Sequence, residues 1–161
     1  MGYDFYIVGK NRAIRGTGPR DNLNLSALQG ASVLDTMAHF GMTVEKDRPQ
    51  WPTLEAYGLQ PAHLSDTADL TEEQQKAKAT FVAAYQGVRE AVDDQPEGIP
   101  AYKLRFCDAF WTTPDEIAAA LARYEAHPRY DCADLPFGDQ TWSRFIAFLR
   151  AAQTAGGLRT L

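Results

Sequence analysis

Cysteine is scarce in this chain. Cys107 and Cys132 are its two cysteines in 161 residues, too few for a disulfide-stapled scaffold and lacking the paired spacing of a zinc site, as expected of a protein from a reducing compartment. Long apolar runs are missing too: charge or glycine interrupts every hydrophobic stretch well short of the ~20 residues a bilayer crossing requires. The opening Met1-Gly2-Tyr3-Asp4 has no basic-then-apolar order of a secretion signal, so the expected location is the cytoplasm, with no membrane partner. Positive charge is in short supply, 16 Lys and Arg against 21 Asp and Glu for a net charge of −5. Such a chain lacks the broad positive field that drives non-specific binding to nucleic acid.

What remains is an ordinary globular composition, 45% hydrophobic and 23% charged, in a length that suits one domain spanning 1–161. A chain of this size buries roughly 68–70% of its unfolded surface and needs no covalent staple. Tyr3 to Val8 is dense in aromatic and β-branched residues that alternate between two faces, which predicts a strand. Leu23 and Leu25 alternate with polar partners in Asn22 to Ser26, a second short strand. A helix is expected from about Ala31 to Phe40, where Gly41 can close it in a left-handed turn. Residues 43–70 hold Pro49, Pro52 and Pro61 together with Trp51, Leu54, Tyr57 and Leu59, an ordered excursion containing one helical turn near Thr53-Leu54-Glu55-Ala56-Tyr57-Gly58.

Two capping boxes mark helix starts. Thr71-Glu72-Glu73-Gln74 opens a helix expected from Glu72 to Asp93, and Thr113-Pro114-Asp115-Glu116 opens another that closes before His127-Pro128. Between them Ile99 to Phe106 reads as a strand. The last helix, Gln140 to Thr154, carries Trp142, Phe145, Ile146, Leu149 and Ala152 as one stripe and stops at Gly156-Gly157, after which Leu158 to Leu161 can add a terminal strand. Strands that neither alternate regularly with helices nor run continuously apolar exclude a doubly wound parallel sheet. The expected fold is α+β: a small, mainly antiparallel sheet of three or four strands with about four packed helices.

The most suggestive local feature is the glycine-rich basic loop from Gly9 to Arg20, with Lys10, Arg12, Arg15 and Arg20. Guanidinium groups and glycine-freed amides suit an anion, although neither phosphate-loop pattern is present. Asp4 and Asp108, carboxylates inside or beside apolar segments, can pair with the loop cations, and Trp111 adds an aromatic surface. Cys107 ends a predicted strand and would be a nucleophile only with a histidine beside it. His127, Asp131, Cys132 and Asp134 lie close in sequence but without the spacing of a metal site. No catalytic or metal-binding residue is assigned, and no cofactor is implied. The candidate binding residues are Asp4, Lys10, Arg12, Arg15, Arg20, Asp108 and Trp111.

The chain resembles a group of small actinobacterial and actinophage proteins across most of its length. The shared segments are the Met-Gly-Tyr-Asp start, Leu23-Asn24-Leu25, Gly41-Met42, Tyr57-Gly58-Leu59, Ile99-Pro100 with Lys103-Leu104, the Thr113-Pro114-Asp115-Glu116 helix start, and Trp142 with Phe148-Leu149 and Gly156-Gly157. Relatives carry Ser-Asn-Asp-Gly-Trp after the Lys-Leu strand, where this chain has Arg105-Phe106-Cys107-Asp108-Ala109-Phe110 and keeps the Asp alone. The group has no established activity, so the resemblance implies a shared fold and an actinobacterial or phage source. The leading expectation is a noncatalytic protein-binding module, phage-encoded and acting on a host protein in the host cytoplasm. The rival is an enzyme or binder of a small anionic ligand or nucleotide using Asp4, Asp108 and the basic loop, and a third reading is a self-assembling virion component.

Overall fold

The computed structural model describes residues 2–65, 69–127 and 139–161. In chain order its elements are β1 (Gly2–Ile7), β2 (Asn22–Ser26), α1 (Ala27–His39), β3 (Thr43–Val44), α2 (Glu72–Arg89), β4 (Ile99–Pro100), α3 (Ala101–Arg105), β5 (Trp111–Thr112), α4 (Pro114–Ala126), α5 (Asp139–Ala155) and β6 (Leu158–Thr160), with short 3-10 turns at Glu55–Tyr57 and Pro61–Leu64. The chain divides into two compact units, Met1–Asp47 with Val92–Leu161, and Arg48–Ala91.

The larger unit is built on a four-stranded antiparallel sheet of order β2-β1-β6-β5, beside a separate parallel pair of β3 and β4. This is the α+β class expected from the alternation of its segments. Phe5 stands opposite Leu23 on β2 and Thr160 on β6, so the inner strand pair joins the two ends of the described chain. Alternation then assigns the faces: Tyr3, Phe5 and Ile7 point to one side with Leu23 and Leu25, and Asp4 and Tyr6 point to the other. The first side is the core. Phe5 meets Phe145 of α5 edge-on at 5.7 Å, Trp142 stacks on Phe40 at 5.8 Å, and Val33, Met37, Ile117, Leu121 and Leu149 fill the space between. Each such side chain taken from water contributes about 1.5–3 kcal/mol before chain entropy is set against it.

Helix starts follow their caps. Ser26 and Gln29 form a reciprocal capping box, and α1 therefore begins at Ala27, four residues before the start expected at Ala31. Gly30 falls on the face of α1 that meets β1, where a Cβ would lie 1.9 Å from the Tyr3 ring. The boxes at Thr71 and Thr113 are both formed. Helix α2 stops at Arg89 rather than Asp93, and Asp93 instead pairs with Lys46, which holds its carboxyl below the usual range through that hydrogen bond and one from the Gln95 amide.

The segment from Ile99 to Phe106 is not one strand. Only Ile99 and Pro100 pair, and Pro100, with φ −56°, caps a helical turn of good helix formers, Ala101–Arg105. Lys103 within this turn is buried. The two-residue strand β5 has no sequence signal of its own and pairs with β6, Trp111 opposite Arg159 and Thr112 opposite Leu158.

The smaller unit wraps rings around α2. Trp51 lies 4.4 Å from Tyr85, Tyr57 meets Phe81 edge-on at 5.6 Å, and the Lys78 ammonium donates to the carbonyls of Leu64 and Ser65. Gly58, with φ +65°, closes the 3-10 turn expected in this stretch.

Two glycines separate backbone freedom from close approach. Gly41 has φ +65° in open space, whereas Gly157 has φ +97° and a Cβ there would stand 2.1 Å from the Thr112 carbonyl oxygen and 2.8 Å from the Trp111 indole nitrogen. Gly41→Ala is expected to cost about 1 kcal/mol, the left-handed penalty alone. Gly157→Ala is expected to cost about 2 kcal/mol or more, because strain and overlap add. Urea unfolding of the two variants measures the difference.

Candidate functional site

The face of the sheet turned away from α1 and α5 carries a row of large polar and aromatic side chains. Register sets Trp111, Arg159, Tyr6 and Asn22 side by side on β5, β6, β1 and β2. At the β5 end of this row Trp111 is held at its edge and covered on its face. Its Nε1 donates to the Gly156 carbonyl at 2.8 Å, and Gly157 leaves room for that nitrogen, since a Cβ there would stand 2.8 Å from it. On top sits the Arg12 guanidinium, 4.0 Å from the ring centroid. Such a cation-π contact is worth about 0.5–1 kcal/mol at an exposed position.

The basic loop reaches this point because it is a hairpin. Val8 bridges to Ile14, the Gly9 amide donates to the Ala13 carbonyl, and the Arg12 amide donates to the Gly9 carbonyl, closing a tight three-residue loop. That loop type requires a left-handed residue at its last position, ordinarily glycine or asparagine. Here it is Arg12, with φ +62°. Among the described residues one other non-glycine position has positive φ, Ala109 at 55°, whose carbonyl accepts from the Arg159 guanidinium at 2.6 Å. Both strained residues therefore border the Trp111–Arg159 pair, and backbone strain of this kind persists only where surroundings hold it.

Trp111 is fixed from below by a buried ion pair. The Lys103 ammonium, 1% exposed, donates to the Trp111 carbonyl at 2.9 Å and to both oxygens of Glu116, 0% exposed, at 2.7 and 3.0 Å. Glu116 also accepts the Thr113 amide at 2.9 Å as the reciprocal half of the capping box. Burial pushes the Glu116 carboxyl above its usual range, against the pull of Lys103 and of the Thr113 amide. In the sequence Glu116 is legible as a capping-box residue, but its pairing with Lys103 is not. The available signal is a lysine at the fifth position of an otherwise apolar Ile-Pro-Ala-Tyr-Lys-Leu run.

The other sequence candidates are distributed as follows. Lys10 and Arg15 are exposed on the hairpin, Arg15 pairing with Asp21 at 3.7 Å. Arg20, at the far end of the loop, lines a hollow against α5. Asp4 lies one row beyond Tyr6, away from the hairpin tip, and its carboxylate accepts from the Asn24 amide. Asp108 is half-buried beside Ala109, whose amide donates to the Thr160 carbonyl. The structure brings Arg12 and Trp111 into contact and gives Asp4 a partner on β2. Cys107 is free and exposed, while His39 and His127 line a hollow around Phe40 that does not include it. Among the described residues no three His, Cys, Asp or Glu side chains converge as a metal ion would need. Asp131, Cys132 and Asp134 lie outside the described residues. No helix among the described residues is long and apolar enough to cross a membrane.

No protein-family model, no curated protein and no solved structure matches this chain.

Removing Lys103 while Glu116 stays buried leaves an uncompensated carboxylate. Lys103→Met is expected to cost about 3–5 kcal/mol, and Lys103→Met with Glu116→Leu to recover more than half of it. In the single variant the Glu116 pKa is raised further above its unfolded value, so stability is held at low pH and lost as pH rises through the folded pKa. Denaturation at about pH 5 should therefore show a smaller loss than at about pH 7.5. For the hairpin, Arg12→Gly and Arg12→Ala both lose the indole contact, but glycine accepts the left-handed backbone. The glycine variant is expected to be the more stable by about 1 kcal/mol in chemical unfolding.

Proposed function

We propose that the protein is a noncatalytic protein-binding module whose contact surface is the basic hairpin, held in shape by the sheet row it covers. The observation that supports this most is the seating of Arg12 on Trp111 in a left-handed conformation. It gives the loop one shape and so lowers the ordering entropy that a partner would otherwise have to offset. The hairpin presents Lys10 and Arg15 with Ile14, 41% exposed, between charged neighbours. A cationic rim around an apolar contact suits an acidic surface on a partner protein, and arginine and tryptophan are the residue types on which binding energy concentrates. The resemblance to actinobacterial and actinophage proteins makes that partner a host protein. The anionic-ligand reading built on Asp4, Asp108 and the loop is less favoured, because the Asp4 carboxylate is occupied by Asn24.

The immobilised full chain, exposed to an actinobacterial lysate, is expected to retain one partner, with retention falling as NaCl is raised from about 0.05 to 0.5 M. Arg12→Ala with Arg15→Ala should abolish retention while circular dichroism stays native. An unchanged yield would take the hairpin out of the interface, and retention of nothing by the unaltered chain would overturn the reading.

A further inference from the structure

Arg20 and Arg144 reach one hollow from two separate elements, the end of the basic loop and the first turns of α5. The hollow encloses about 370 Å³, and Leu23, Phe148 and Ala151 give it an apolar wall while Asn22 adds a polar group at its edge. Among the described residues no carboxylate lines it. Arg15 is matched with Asp21 and Arg150 with Glu125, whereas neither Arg20 nor Arg144 has an ion pair or hydrogen bond among the described residues. Two like charges facing a common space repel each other, and that repulsion turns to attraction when an anion enters. Guanidinium forks match the paired oxygens of carboxylate and phosphate, and the wall beneath them accepts hydrocarbon. The volume lies within the ~300–1,000 Å³ typical of small-molecule sites.

We propose that this hollow binds a small organic anion, a carboxylate or phosphate carried on an aromatic or short acyl body. Arg20 and Arg144 hold the charged oxygens, and Leu23 and Phe148 cover the apolar part. The site stands apart from the hairpin surface, since it uses Arg20 and not Arg12, and neither depends on the other.

The test is titration of the isotopically labelled full chain, followed by backbone amide resonances, with phenyl phosphate, benzoate, inorganic phosphate and the neutral benzyl alcohol. Phenyl phosphate or benzoate is expected to move the amides of Asn22, Leu23, Arg144 and Ala147 saturably and at lower concentration than inorganic phosphate. Benzyl alcohol should leave them in place. The tighter of the two aromatic anions identifies the headgroup. Arg20→Gln with Arg144→Gln, both at exposed positions, should raise Kd at least about tenfold, and Arg150→Gln should leave it unchanged. The proposal is overturned if benzyl alcohol binds as well as the anions, if the shifts scatter over the other arginines, or if the double variant binds with unaltered Kd. A response to acidic peptides with none to the small anions would equally exclude it.

Discussion

The ion pair between Lys103 and Glu116 is the constraint on which the rest of the larger unit turns. Burying two opposite charges is unfavourable unless every donor and acceptor is used, and here nearly all are: the ammonium serves two carboxylate oxygens and one carbonyl, and the carboxylate also serves the first amide of a helix. One cluster thereby fixes three things. It sets where α3 ends its turn, where α4 begins, and where Trp111 is anchored between them. Apolar residues could fill the same volume, but they would not orient the Trp111 carbonyl, and with it the edge strand of the sheet.

From that anchor the surface is assembled in order. The indole is fixed at its N–H edge, where Gly157 leaves space for the nitrogen and the Gly156 carbonyl accepts from it. Arg12 then stacks on the indole and holds a hairpin tip whose backbone conformation its own residue type disfavours. Packing inside the molecule is thus converted into a defined shape on its outside. The same loop, at its other end, delivers Arg20 to the wall of α5. A segment that reads as a solvated connection serves two distinct surfaces.

Local signals made much of this fold legible and non-local ones did not. The strand at Asn22–Ser26, the capping boxes at Thr71 and Thr113 and the closing glycines at 41 and 156–157 are decided within a few residues, and each stands where its chemistry requires. Strand β5 exists because β6 pairs with it, α3 because Lys103 finds Glu116 in the interior, and neither partner can be read from neighbouring residues. The Ser26 box was local and still missed, since the apolar stripe of α1 begins later than its backbone does. At the candidate site Arg12 and Trp111 were both recognisable as contact-forming residue types, but their stacking depends on a three-residue turn and two strand pairings. Asp4 was equally conspicuous, and Asn24 gives it a structural explanation.

The strand order also carries a consequence for how the chain must reach this state. Phe5 sits beside Thr160, so the central seam of the sheet unites two segments far apart along the chain. During translation β1 and β2 are made before Leu158–Thr160 and lack that partner strand for roughly 7–27 s at bacterial elongation rates of about 5–20 residues per second. Closure over so long a separation makes assembly slow relative to a helical protein of equal length. The nascent polypeptide is therefore most exposed to misassociation along that open flank.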